Sequence, residues 1–240
     1  MPYSFYTKKT FTYDIGEFIE RPNRFIAFVK YKNKTLRCHT PDPGRLKELL
    51  KPAVTVLLRF PELKDKGKTD AAMIGVLVEK TNVWVSTDSQ LASRCIREIW
   101  KELPYFKDYE TIKPEYTYGD SRIDFFLERS RTNERCLIEI KSVGLKKEDN
   151  IGYFPDAPTK RGAKHVHELQ KSIEDGFIAM VVFFVPREDV VSVKPNKDLD
   201  YEFYSAVKEA QKNGVKFKAL RFKLTTAGIL YDQEIPFSVD

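Results

Sequence analysis

Residues 121–144 read SRIDFFLERSRTNERCLIEIKSVG, two apolar runs joined by a polar, Arg-rich connector. Asp124, Glu139 and Lys141 sit inside those runs. A charged group in an apolar strand is costly unless it is paired or coordinated, so the fold must find partners for all three. Side chains alternate along a strand, which puts Glu139 and Lys141 on one face and Ile138 and Ile140 on the other. The short connector makes RIDFFLER the expected antiparallel neighbour of that strand, and this pairing brings Asp124 beside Glu139. Two carboxylates and a lysine then converge. Such a group suits a divalent cation such as Mg2+ or Mn2+, because Asp and Glu supply hard oxygens and an adjacent lysine can polarise a phosphate or an attacking water. The same residues would also serve as plain ion pairs on a strand face, Glu139 with Lys141 and Asp124 with Arg122. An E-x-K triplet on its own recurs by chance.

The rest of the chain narrows the choice. Its 240 residues are 42% hydrophobic, enough for a substantial core without staples. Lysine and arginine outnumber aspartate and glutamate by 41 to 35, a net charge of +6 that favours polyanionic partners if it gathers on one face. Cys38, Cys95 and Cys136 are far apart and form no C-x-x-C pair. They read as buried free thiols, not as a zinc ribbon or disulfide framework. The opening MPYSFYTKKTFTYD has no apolar signal-peptide core, and no run approaches the ~18 apolar residues that span a bilayer. A cytoplasmic protein with no membrane partner is expected. Phosphate-loop, dinucleotide and esterase-elbow motifs are all missing from the sequence.

Periodicity divides the chain near residues 84–88, giving expected domains 1–86 and 87–240. RFIAFVKY (24–31), KTLRCHT (34–40), TVLLRF (55–60), AAMIGVLVEK (71–80) and NVWVSTD (82–88) read as strands. A short helix at RLKELL (45–50) interrupts them, and the set suggests an OB-like β-barrel, a fold that often binds oligonucleotides. From residue 89 the spacing becomes helical in SQLASRCIREIWKEL, with Asp88 or Ser89 as N-cap. Three strands follow, then a helix over PTKRGAKHVHELQKSIEDG stopped by Gly176, then the continuous apolar run FIAMVVFFVP of a strand buried on both faces. YEFYSAVKEAQKNG is a last helix ending at Gly214. The second half is thus αβββαβ with additions, and the whole chain is α/β (α+β).

That order, with Asp on the second strand and E-x-K on the third, resembles the PD-(D/E)XK nuclease layout. Four motifs in sequence, PDPGRLKELL (41–50), GDSRIDFFL (119–127), IEIKSVGL (138–145) and FPDAPTKRGAKHVHEL (154–169), also resemble the sugar fermentation stimulation protein (SfsA) family. Pro158 departs from the Val of that family's pattern. The resemblance covers nearly the whole chain and implies an OB-like first domain, a PD-(D/E)XK-like second domain and DNA binding. It also implies a link to sugar, notably maltose, metabolism. Carried over by position, it makes Asp124 and Glu139 the metal ligands and Lys141 the catalytic lysine. Glu115 is the favoured third carboxylate, Glu98 on the preceding helix competes with it, and Asp156 is close enough in sequence to approach the site.

Arg161, Lys164, His165 and Glu168 recur at three- and four-residue spacing, so one helix face is polar. It is either a solvated face or a place where Arg161, Lys164 and His165 meet DNA phosphates, with Arg122 nearby in sequence to Asp124. His165 and His167 are two apart and cannot share a face to bind zinc. In the first domain, Arg45 at the PDPG turn could cradle a phosphate, and Arg24 lies among Phe25, Phe28 and Tyr31 as on an OB-type binding face. Phe28 is as well placed for packing as for stacking. Three functions remain, in this order: a Mg2+- or Mn2+-dependent nuclease, a non-catalytic DNA-binding regulator of sugar metabolism genes, and a protein-interaction module with a leftover acidic site. The form of the DNA, single-stranded, duplex or branched, is open, as is a homodimer.

Overall fold

The computed structural model describes residues 11–42, 44, 46–61, 68–147 and 149–240. Strands β1 (Phe11–Asn23), β2 (Ile26–Tyr31), β3 (Lys34–His39), β4 (Thr55–Pro61), β5 (Ala71–Val78) and β6 (Val83–Ser86) come first. Helix α1 (Leu91–Ile99) is followed by β7 (Thr111–Tyr118), β8 (Ser121–Arg129), β9 (Glu134–Ser142), β10 (Leu145–Lys146) and β11 (Ile151–Phe154). Then come α2 (Lys160–Glu174), β12 (Phe177–Val185), β13 (Ser192–Pro195), α3 (Tyr201–Lys212), β14 (Lys216–Thr225) and β15 (Gly228–Ile235). The chain forms two compact units: Met1–Gln90 with Val185–Val190 and Arg221–Gln233, and Leu91–Phe184 with Val191–Leu220 and Glu234–Asp240. No helix among the described residues is long and apolar enough to cross a membrane.

In the first unit β1 pairs with both β2 and β4, β2 with β3, β4 with β5, and β3 with β5 in parallel, so five strands close into a ring. The expected strands are present, and β1 is added. Its burial is slight apart from Phe18, which is why alternation alone did not mark it. Ala27, Val29, Cys38, Val56, Leu58, Met73 and Val76 fill the ring, with Leu46 and Leu49 packed in from the PDPG segment. That segment is a single turn and not the expected helix, since Leu46 has a left-handed φ of 51° and both Leu49 and Leu50 donate back to its carbonyl. Only eight residues separate Pro43 from Pro52, which gives helix nucleation too little to propagate. Gly16 lies where β1 crosses the core. A methyl there would meet Val29 Cγ1 at 2.6 Å, the Lys30 carbonyl oxygen at 3.0 Å and Leu58 Cδ1 at 3.1 Å. Gly16→Ala is therefore expected to cost roughly 1–3 kcal/mol, read as a lower urea midpoint. An unchanged midpoint would mean that the ring relaxes there without strain.

The second unit realises the αβββαβ order. Strand β9 pairs with β8 antiparallel and β12 parallel, β8 pairs with β7, and β14 extends the sheet beyond β12. The parallel β9–β12 pair requires a crossover, and α2 provides it. Strand β12 is buried along nearly its whole length, as its unbroken apolar run requires. Pro114 is tolerated because β7 is the sheet's edge. Helix α2 starts where Thr159 Oγ1 accepts the Gly162 N–H at 2.9 Å, and the Thr159 N–H is itself held by Asp200 Oδ2 at 2.7 Å. Asp200 also caps α3, accepting the Phe203 N–H at 2.9 Å. One carboxylate therefore fixes the start of both helices, and α2 packs on α3 and on β8. Strands β10, β11 and β13 form a separate small sheet that the sequence reading did not separate out. All three cysteines are free and buried, as expected.

Candidate active site

Backbone pairing between β8 and β9 runs from Arg129↔Glu134 to Phe125↔Ile138. One step further, the Asp124 carboxylate (Oδ2) accepts the Ile140 N–H at 2.7 Å. A side chain thus takes over from the ladder where the pairing stops, and this satisfies a strand N–H that would otherwise be buried without an acceptor. Glu139, next along β9, is only 3% exposed. Its Oε1 accepts from Lys141 Nζ at 2.6 Å, the pairing expected of two residues on one strand face. The same Oε1 lies against Nδ1 of His165 on α2. Glu139 Oε2 is buried and has no hydrogen-bond partner among the described residues.

The electrostatics follow from this crowding. Burial and the Glu139 charge push the Asp124 carboxyl up to about 6, against the opposing pull of the Ile140 N–H, Lys141 and His165. Burial also acts to raise Glu139, but Lys141 and the His165 hydrogen bond outweigh it and hold that carboxyl below its ordinary range. The two neighbouring carboxylates thus diverge, one held down by its donors and the other raised first by burial and then by its neighbour's charge.

The structure brings together Asp124, Glu139 and Lys141. His165 joins them, which corrects its expected place on a solvated, phosphate-facing helix surface: it is 4% exposed. The spacing of Gly162, His165, Leu169 and Ser172 already marks it as part of the buried stripe of α2. Arg161, one turn earlier, is exposed and donates through Nε to His165 Nε2 at 3.3 Å. Lys164 is exposed and donates to the Asp120 carbonyl at 3.1 Å, tying α2 to the β7–β8 turn. That turn uses Gly119 in the left-handed region, φ 54°.

Glu115 does not turn to the site. It takes a left-handed φ of 57° within β7, and its carboxylate faces Arg122 at 3.6 Å in an exposed ion pair. Glu98 lies on the exposed side of α1, and Asp156 is exposed. Among the described residues no group of three His, Cys, Asp or Glu side chains is arranged to hold a metal ion. In the first unit Arg24 and Phe25 are exposed together at the β1–β2 turn, while Phe28 is half-buried. Arg45 lies outside the described residues. The sequence reading missed Arg21, whose guanidinium donates to the carbonyls of Arg24, Asp42 and Gly44 at 2.5–2.7 Å and so clamps the PDPG turn.

Two family profiles match the chain: the SfsA N-terminal OB domain over residues 19–87 and the "Sugar fermentation stimulation protein RE domain" over residues 87–228. The chain belongs to the sugar fermentation stimulation protein family. Within it, a homologue from Desulfitobacterium hafniense is 39% identical over 214 residues, spanning 89% of this chain and 91% of its own length. One from Alkaliphilus metalliredigens is 40% identical over 222 residues, spanning 92% of this chain and 94% of its own. A solved structure of SfsA from Pyrococcus furiosus in complex with Ca2+ matches with a TM-score of 0.85 and 28% identity, covering 99% of this chain and 98% of that one. The strand-rich α/β fold, with an OB-type N-terminal domain followed by the family's C-terminal RE domain, is thus shared by the family and this chain.

Proposed function

We propose that this chain is a DNA-binding protein whose second domain, residues 87–240, holds a divalent-metal-dependent phosphodiesterase site, while the OB domain in residues 1–86 adds nucleic-acid contacts. The observation that carries the reading is the orphaned Oε2 of Glu139, a buried carboxylate oxygen with no donor among the described residues, close to a second carboxylate raised by burial and by the Glu139 charge. Leaving such an oxygen unpaired is costly, and a cation relieves both groups at once. Mg2+ or Mn2+ fits, since Mg2+ is commonly bound by one or two carboxylates with water completing the shell. The Ca2+ complex of the Pyrococcus furiosus relative supports a hard, oxygen-seeking cation.

In this reading Asp124 and Glu139 hold the cation, and rigid strands keep their spacing. A divalent cation at this place supplies Lewis-acid polarisation of a phosphoryl oxygen and lowers the pKa of water. Lys141 holds its ammonium 2.6 Å from Glu139 Oε1 with a side chain only 10% exposed, so it can meet the charge that develops on the phosphate without reorganising. Arg122, Arg161 and Lys164 are exposed and supply charge for the DNA backbone, with Arg24 doing so on the OB domain.

The test is Mg2+ and Mn2+ calorimetry on the full chain, alongside cleavage of single-stranded, duplex and branched DNA. Uptake of the cation together with cleavage of at least one substrate is the expected result. DNA binding with neither uptake nor cleavage would leave a non-catalytic binder. Binding itself should weaken steeply with salt, and Lys164→Ala should reduce the slope of log K against log salt by about 0.9 on duplex DNA if Lys164 neutralises one phosphate. A flat salt response would remove DNA from the proposal.

A further inference from the structure

Glu139 is held asymmetrically. Among the described residues both its donors, Lys141 Nζ and His165 Nδ1, converge on Oε1, and Oε2 is left buried and unpartnered. The terminal torsion of a glutamate is broad, so an untethered carboxylate would rotate to share its donors. The lysine cannot stop that rotation by itself, because its ammonium sits on a flexible four-carbon stem. The imidazole can, because it is rigid, 4% exposed and fixed on the buried stripe of a capped helix.

Which nitrogen of His165 bears the proton follows from its other neighbour. Arg161 Nε lies 3.3 Å from His165 Nε2, and a guanidinium has only donors. Nε2 must therefore accept, and the ring proton belongs on Nδ1, where it is donated to Glu139. We propose that Arg161 and His165 form a positioning relay: Arg161 selects the Nδ1–H tautomer of His165, and that N–H locks Glu139 so that Oε2 alone is offered to the divalent cation. The inference rests on the metal-site reading above and assigns His165 a positioning role in place of a phosphate contact. Histidine-to-carboxylate contacts of this kind behind a ligand typically govern roughly 10- to 100-fold in metal affinity.

The test uses the full chain and two readouts. In the metal-free protein, nitrogen-15 NMR of His165 should show a protonated Nδ1 and a lone-pair Nε2, and Arg161→Leu should shift the ring towards the Nε2–H tautomer. A wild-type ring protonated on Nε2, or on both nitrogens, would overturn the relay. In Mn2+ calorimetry, His165→Leu should weaken binding by roughly 10- to 100-fold, whereas His165→Asn, whose amide N–H occupies the place of Nδ1–H, should stay within about threefold of wild type. Should His165→Leu fail to fold, Arg161→Leu serves in its place, with a smaller loss of affinity expected in the same direction. Unchanged Mn2+ affinity in the variant, with wild type binding normally, defeats the relay alone. A wild type that takes up no Mn2+ defeats the metal reading and the relay together, so the two failures are distinct.

Discussion

Glu139→Gln is expected to abolish divalent-cation uptake and to lower phosphodiester cleavage by on the order of 10^3-fold, or about 4 kcal/mol of transition-state stabilisation. The amide loses the charge a cation needs while keeping the side chain's size. It also leaves the Lys141 ammonium, 10% exposed, without its carboxylate partner. Removing one member of a buried pair is far worse than removing both, so Glu139→Gln should also destabilise the fold by roughly 2–4 kcal/mol. Pairing it with Lys141→Met should recover part of that stability and none of the cleavage. The measurements are Mn2+ calorimetry, single-turnover cleavage and urea unfolding on the same preparations. Residual cleavage within tenfold of wild type would show that the chemistry lies elsewhere.

Asp124→Asn should have the opposite effect on stability and the same effect on function. The Asp124 carboxyl is raised to about 6 in the folded chain, above its unfolded value, so the folded state holds the proton more tightly. Its contribution to the metal-free protein is full below the unfolded pKa and is lost as pH rises through about 6. Asparagine cannot ionise, yet its carbonyl oxygen can still accept the Ile140 N–H. In chelator at pH 7.5, Asp124→Asn should therefore be more stable than wild type by roughly 1–3 kcal/mol, with the gap closing towards pH 4. Cation uptake and cleavage should be lost, so activity is exchanged for stability at a single residue. A variant less stable than wild type at pH 7.5 would mean that the carboxylate is not strained in the folded chain.

These two variants differ because Glu139 has Lys141 and His165 facing it, whereas burial, and then the Glu139 charge, outweigh the single backbone donor and the more distant cations at Asp124. That distinction was partly legible in the sequence. Alternation alone put Glu139 and Lys141 on one face, since covalent geometry fixes the strand period whatever the rest of the fold does. A short polar connector made β8 and β9 neighbours, and that placed Asp124 near Glu139. Helix stops at Gly176 and Gly214 were equally local, both glycines having positive φ. The unbroken apolar run at 177–185 could only be a central strand.

What local pattern could not supply was the choice among partners. Glu115 is eight residues from Ile123 and nine from Asp124, yet a left-handed backbone at that one position turns it to Arg122. On α2 the stripe of Gly162, His165, Leu169 and Ser172 marks which side of the helix is buried, but not which group of the sheet His165 meets there. Capping by Thr159 and Asp200, and packing on α3, set the helix's rotation and drive the ring onto Glu139. The sequence by itself determined the strand period, the element order and the three charged residues that had to be paired. Only the tertiary structure decided which oxygen of Glu139 is covered and which is left open, because that depends on the placing of a helix against a strand 26 residues away in the chain, not on any local preference.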